Sequence, residues 1–176
     1  MNKTIRYSAA AVAMAAAMGM SSVAHADTAT ADATAEVLEA LVLTNTNDLD
    51  FGAMVVTGAG SVILAADGTL DCTSTNITCS GTTSVADFDV DGTANKDVTV
   101  NLPSSSVNLV HTGNVGSTAA QHVIVLDTFT STATGGEVTT NGTGDASFDV
   151  GGTITLDGSE IAGTYEGSFD VSVEYS

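Results

Sequence analysis

Apolar and polar residues alternate strictly along the last stretch of the chain, Gly163 to Tyr175 (GTYEGSFDVSVEY). Tyr165, Gly167, Phe169, Val171, Val173 and Tyr175 share one parity, and Glu166, Ser168, Asp170, Ser172 and Glu174 share the other. A strand turns successive side chains to opposite faces, so this period of two predicts a long C-terminal strand. Its aromatic and valine face lies on a core, and its carboxylates face water. No turn residue interrupts the pattern, so one uninterrupted strand is expected, with edges that need a partner.

The same period recurs upstream. In TATADATAE, Thr28 to Glu36, the residues Ala29, Ala31, Ala33, Ala35 and then Val37 share one parity, a strand-like pattern with a small-residue face. From Val37 the phase blurs (EVLEALVLTNT), as in a strand entering a core through a bulge. Leu49, Phe51, Ala53 and Val55 are in register, and glycines 58 and 60 follow them. Ser61 to Ala66 reads as a buried strand before Asp67-Gly68, a hairpin signal. Further strands are expected over Val85–Val90, Asp97–Leu102 and Val107–His111, with Pro103 stopping the second of these. His122 to Phe129 is apolar on both faces, which places it near the centre of a sheet. Gly135-Gly136, Asn141-Gly142, Gly151-Gly152 and Asp157-Gly158 then read as turns between short segments. No helix and no internal repeat emerges. The expected fold is all-β, an immunoglobulin-like or jelly-roll antiparallel β-sandwich.

Composition adds a compartment. Lys3 and Arg6 precede the apolar run Ala9 to Met20, and Ala24-His25-Ala26 has the small-x-small form of a cleavage site. Residues 1–26 are therefore expected to be a cleaved signal peptide, 27–36 an alanine- and threonine-rich extension, and 37–176 the sandwich domain. Removing the leader takes two of the three basic residues and none of the 21 acidic ones. Lys96 is then the one cation against 21 carboxylates, a net charge of −20. Such a charge disfavours nucleic acid and anionic lipid as partners and favours tolerance of salt. No later segment is apolar enough for membrane insertion. The product is expected in the periplasm, on the cell surface or outside the cell. Cys72 and Cys79 are the only cysteines, and an oxidising compartment makes a disulfide between them the leading reading. Closing so short a loop stabilises by roughly 2–3 kcal/mol at most, pinning a surface hairpin.

Candidate chemistry is sparse. Asp87, Asp89 and Asp91, followed by Gly92, carry the spacing of the opening half of a calcium loop. Position twelve, counted from Asp87, is Val98, so no bidentate glutamate closes the shell. The competing reading is a strand with aspartates outward and Phe88 and Val90 inward. His111 and His122 have no metal-ligand or catalytic spacing and read as surface residues. No catalytic residue and no cofactor is expected, calcium aside, and the chain does not read as an enzyme.

Four motifs carry a family resemblance: Leu49-Asp50-Phe51-Gly52, Asp89-Val90-Asp91-Gly92, Val150-Gly151-Gly152-Thr153-Ile154, and the closing Gly163 to Tyr175. Together they resemble the bacterial family named domain of unknown function 4402 across essentially the whole mature chain. The closing strand also resembles those of spore-coat-U-like proteins and of chaperone–usher pilins. This second resemblance implies an immunoglobulin-like subunit lacking one strand, whose groove is filled by the N-terminal extension of the next copy. Ala29, Ala31, Ala33, Ala35 and Val37 would be the inserted face; alternatively this segment is the chain's own first strand, or a loose alanine- and threonine-rich leader. The function expected is that of an exported structural or adhesive subunit, with itself, a periplasmic chaperone and an outer-membrane usher as partners. The alternative is a periplasmic or secreted, non-polymerising sandwich that binds carbohydrate or calcium.

Overall fold

The computed structural model describes residues 27–176, so the expected signal peptide lies outside the described residues. Residues 27–36 have neither helix nor strand and are exposed throughout. The strand expected over Thr28–Glu36 is therefore not formed: an extended segment with alanine-sized side chains needs a neighbour to pair its backbone, and here it has none of the ladder contacts of a sheet.

Residues 37–176 form a compact unit of thirteen strands. In chain order these are β1 (Val42–Asn47), β2 (Ala53–Val56), β3 (Gly60–Leu64), β4 (Leu70–Asp71), β5 (Ile77–Ser80), β6 (Ala86–Asp91), β7 (Asp97–Asn101), β8 (Val107–His111), β9 (Val123–Ser131), β10 (Glu137–Thr139), β11 (Asp145–Leu156), β12 (Tyr165–Glu166) and β13 (Ser172–Tyr175). Two single-turn 3-10 helices, Thr112–Asn114 and Ala120–His122, lie between β8 and β9. Among the described residues no helix is long and apolar enough to cross a membrane.

One large antiparallel sheet runs β1-β6-β11-β9-β8-β12, with β3 also on β11 and β4 on β3. Two small sheets, β10-β7-β13 and β2-β5, complete the fold. The all-β antiparallel sandwich expected from the sequence is what forms. Its core is double. One cluster joins Phe51, Val62, Leu64, Ile77, Ile124, Leu126, Ile154 and Leu156, with residues of β2 and β5 packed on it. The other joins Phe88, Val90, Val98, Val100, Phe148 and Val150, with Val138, Val173 and Tyr175 packed on it.

Period two explains most of these elements. In β6, Ala86, Phe88 and Val90 are buried and Asp89 and Asp91 are exposed, and Phe88 stacks on Phe148 of β11 with centroids 5.4 Å apart. β9 lies between β11 and β8, in the interior of the sheet as its two apolar faces require.

Two expectations fail for identifiable reasons. Gly151-Gly152 is not a turn but lies inside the twelve-residue β11. A Cβ on Gly151 would run into the Leu64 carbonyl and the backbone of Ala65 and Ala66, so the glycine is there to let two strands approach. The C-terminal stretch is not one strand either. Tyr165–Glu166 pairs with β8 in the large sheet, Ser172–Tyr175 pairs with β7 in a small one, and residues 167–171 cross between them. The face alternation survives the crossing: Tyr165, Phe169, Val171, Val173 and Tyr175 are half-buried, whereas Glu166, Ser168, Asp170, Ser172 and Glu174 are exposed. Gly167, expected on the core face, is exposed, and a Cβ there would meet the Asn108 carbonyl at 2.7 Å.

Candidate strand-acceptor groove

The small sheet β2-β5 shares no ladder with the other two sheets, and beside β2 lies a groove of about 1210 Å³. Its floor is apolar: Phe51, Phe88, Ile124, Leu126, Ile154 and Leu156 all line it. These side chains sit deep, with Leu126 and Leu156 each only 2% exposed. One wall is β2, which pairs with β5 alone, so its other edge is unpaired by any strand. The opposite wall is the segment 160–169, leading through β12 into the crossing. Met54, Val56, Leu109, Tyr165 and Phe169 are half-buried along these walls, and Val55 and Ile161 remain 63% and 40% exposed. An apolar floor beside an unpaired strand edge offers both backbone hydrogen-bonding groups and apolar contacts to an extended segment.

The second wall is held by side chains that the spacing did not single out. The Tyr165 hydroxyl bonds to the carbonyls of Gln121 and Ile161, at 2.8 Å each, while its ring meets His111 edge-on at 5.2 Å. His111 Nδ1 accepts from the Gly113 amide at 3.0 Å. That bond leaves the ring proton on Nε2, which faces the Ala162 carbonyl at 3.3 Å. His122 Nδ1 pairs with the Ser117 hydroxyl at 2.8 Å. Both histidines are half-buried rather than surface residues. His111 ties the end of β8 to residues 162–165, a role that only the β8–β12 pairing reveals, while His122 braces the loop between β8 and β9 through Ser117. Burial raises the Tyr165 hydroxyl above the usual tyrosine range.

The Cys72–Cys79 disulfide is formed, with a Cα–Cα separation of 6.2 Å. It does not close a hairpin, because the two flanking strands do not pair. Cys72 follows β4, which belongs to the large sheet through β3, and Cys79 lies in β5, opposite Met54 of β2. The bond therefore ties one layer to the other, beside the groove.

Asp87, Asp89 and Asp91 all lie on β6. Alternate residues of a strand are roughly 7 Å apart, so three carboxylates strung along one face diverge rather than converge on one ion. Among the described residues no group of three or more histidine, cysteine or acidic side chains is placed to hold a metal. Across the sheet, Asp91 faces Asp145 and Asp87 faces Asp149, an acidic ladder on the outer face.

The profile of the family described as domain of unknown function DUF4402 matches residues 41–175. The chain belongs to the DUF4402 family. The matched region opens one residue before β1 and closes on the last residue of β13, so it takes in every strand of the sandwich and the groove, but not residues 27–36. No curated protein and no solved structure matches the chain.

Proposed function

We propose that this DUF4402 protein is an exported structural or adhesive subunit of the cell envelope, assembled by β-strand addition: residues 28–37 of one copy enter the groove of the next. The observation that carries this reading is the apolar groove beside the unpaired edge of β2. In the groove the donor's backbone would complete the ladder, and Ala29, Ala31, Ala33, Ala35 and Val37 would face the floor.

Chain length argues that the donor comes from a second copy. Glu39 is pinned: its amide donates to Thr93 Oγ1 at 2.7 Å, and its carbonyl accepts from the Tyr175 hydroxyl at 2.9 Å. The groove begins beside Phe88 and its partner Asn45. Phe88 is five residues from Thr93 along β6 and its continuation, roughly 15–20 Å of extended chain. Val37 is two residues from Glu39 and reaches about 7 Å at full extension, and Ala35 reaches about 14 Å. Val37 and Ala35 fall short of that span when it is measured along the chain, which favours a second copy as the acceptor.

Alanine knobs bury little area at about 25 cal/mol per Å², so such contacts are individually weak and the backbone ladder supplies most of the order. In the periplasm a chaperone strand would cover the groove before assembly, and an outer-membrane usher would exchange it for the donor. The test is size measurement of the purified secreted protein, with and without Ala33→Asp and Ala35→Asp. Wild type is expected as a ladder of multimers and the variant as a monomer. A wild-type monomer at every concentration, as a free-standing ligand-binding sandwich would give, would sink the reading.

A further inference from the structure

We infer that the Cys72–Cys79 disulfide sets the acceptor groove, so that only the oxidised chain takes a strand; this rests on the strand-acceptor reading above. The ribbon β2-β5 has no strand ladder with either neighbouring sheet. At one end an isolated bridge, Asp50 to Ser84, and the buried Phe51 hold it. At the other end the chain folds over twice, from β2 into β3 through residues 57–59 and from β4 into β5 through 72–76. The hydrogen bonds there link one fold to the other: the Thr57 amide donates to the Asn76 carbonyl at 2.8 Å, and Asn76 Nδ2 donates to the Ala59 carbonyl at 2.8 Å. Both of these folds could swing together.

Besides the buried Ile77 of β5, what restrains them is covalent. Cys72 is the residue after Asp71, whose partner is Ile63 in the large sheet, and Cys79 is the residue opposite Met54 on the groove wall. The disulfide joins the large sheet to the strand that braces β2. It thereby restrains the β2 wall that faces residues 160–169 across the groove. In the dithiol, Ile77 at the start of β5 still anchors the ribbon in the core, but β2 and the rest of β5 are held more loosely, since Met54 and Val56 are only half-buried while no strand lies beside them.

The step that closes the groove balances as thiol–disulfide exchange. The Cys72 and Cys79 thiols lose two electrons and two protons, forming one S–S bond, and an external disulfide of protein or small-molecule class is reduced to two thiols. Strand acceptance would then be acquired only after the chain meets an oxidising compartment, which keeps reduced copies from joining one another before export.

The experiment uses the secreted chain with its own donor disabled by Ala33→Asp and Ala35→Asp, so that grooves are empty. A fluorescent peptide copying residues 27–38 is titrated onto three samples: the oxidised protein, the same protein after reduction, and a Cys72→Ala, Cys79→Ala form. Amide exchange is followed in parallel. The expectation is saturable binding to the oxidised form, at least tenfold weaker binding to the other two, and recovery on reoxidation. Exchange should rise in β2 and β5 while β6 and β11 stay protected. Equal affinity in all three samples would overturn the inference, as would loss of protection throughout, which would make the bond a general staple. No binding to the oxidised form would instead overturn the strand-acceptor reading itself.

Discussion

The outer face of the large sheet sets like charges against each other residue by residue. Asp91 lies opposite Asp145 and Asp87 opposite Asp149, whereas Asp89 lies opposite Ser147 and Thr44. Burial, and then the neighbouring Asp87, push the Asp149 carboxyl above the usual range. Asp91 is raised by its hydrogen bond with Asp145, which is itself held low chiefly by Thr143 and Asn141. A carboxyl whose folded pKa exceeds its unfolded value binds its proton more tightly when folded. It therefore adds stability as pH falls from neutral through that folded value. Asp67, Asp157 and Asp145, lowered mainly by hydrogen bonds, do the opposite and lose their contribution only when pH drops through their own depressed values. Thermal melts should thus show a stability that rises on mild acidification and falls in stronger acid. Asp149→Asn should raise stability at neutral pH by roughly 0.2–1 kcal/mol and flatten the rise. A melt that declines steadily from pH 7 downward would count against this account. Gly163 makes a second point at this scale. A Cβ there would collide with the His111 imidazole. Gly163→Val should loosen the 160–166 wall, seen as faster amide exchange at residues 161–166 while β6 is unchanged.

At the scale of elements, most strands were legible and their partners were not. Alternation located β6, β7, β8 and β9 to within a residue or two, because each has one face in the core and a period of two records that fact. It also assigned the correct face to Phe169, Val171, Val173 and Tyr175. It could not show that Tyr165 and Tyr175 belong to different sheets, since a face pattern is the same whichever layer a strand joins. Gly151-Gly152 misled because glycine marks both a turn and a close approach of backbones, and only the arrival of Leu64 distinguishes them. Gly151→Ala should accordingly cost roughly 1–3 kcal/mol, read as a lower denaturation midpoint, although alanine is harmless in most strands. The groove was visible only as an implied missing strand. Its walls come from Ala53–Val56 and 160–169, more than a hundred residues apart in sequence, and neither segment carries a local sign of the other. The two histidines were opaque for the same reason, as nothing in their spacing foretold that His111 would meet Tyr165.

For the whole molecule the dominant fact is charge: 21 acidic residues in a chain whose basic residues number three. The donor segment carries Asp32 and Glu36, and Asp48, Asp50, Glu160 and Glu166 border the groove it would enter. Bringing copies together therefore works against repulsion that is screened over about 10 Å at 0.1 M salt and over about 3 Å at 1 M. Assembly measured by light scattering should be faster and more complete in high salt. Replacing Ala31 and Ala33 by valine should strengthen it, since each added methylene is worth about 0.8 kcal/mol when buried. The decisive measurement is an electron-microscopy reconstruction of the assembled protein at a resolution that traces the chain. Strand addition predicts residues 28–37 of one copy lying extended between β2 and residues 160–169 of its neighbour. An empty groove in every copy, or one filled by the same molecule's own segment, would contradict it.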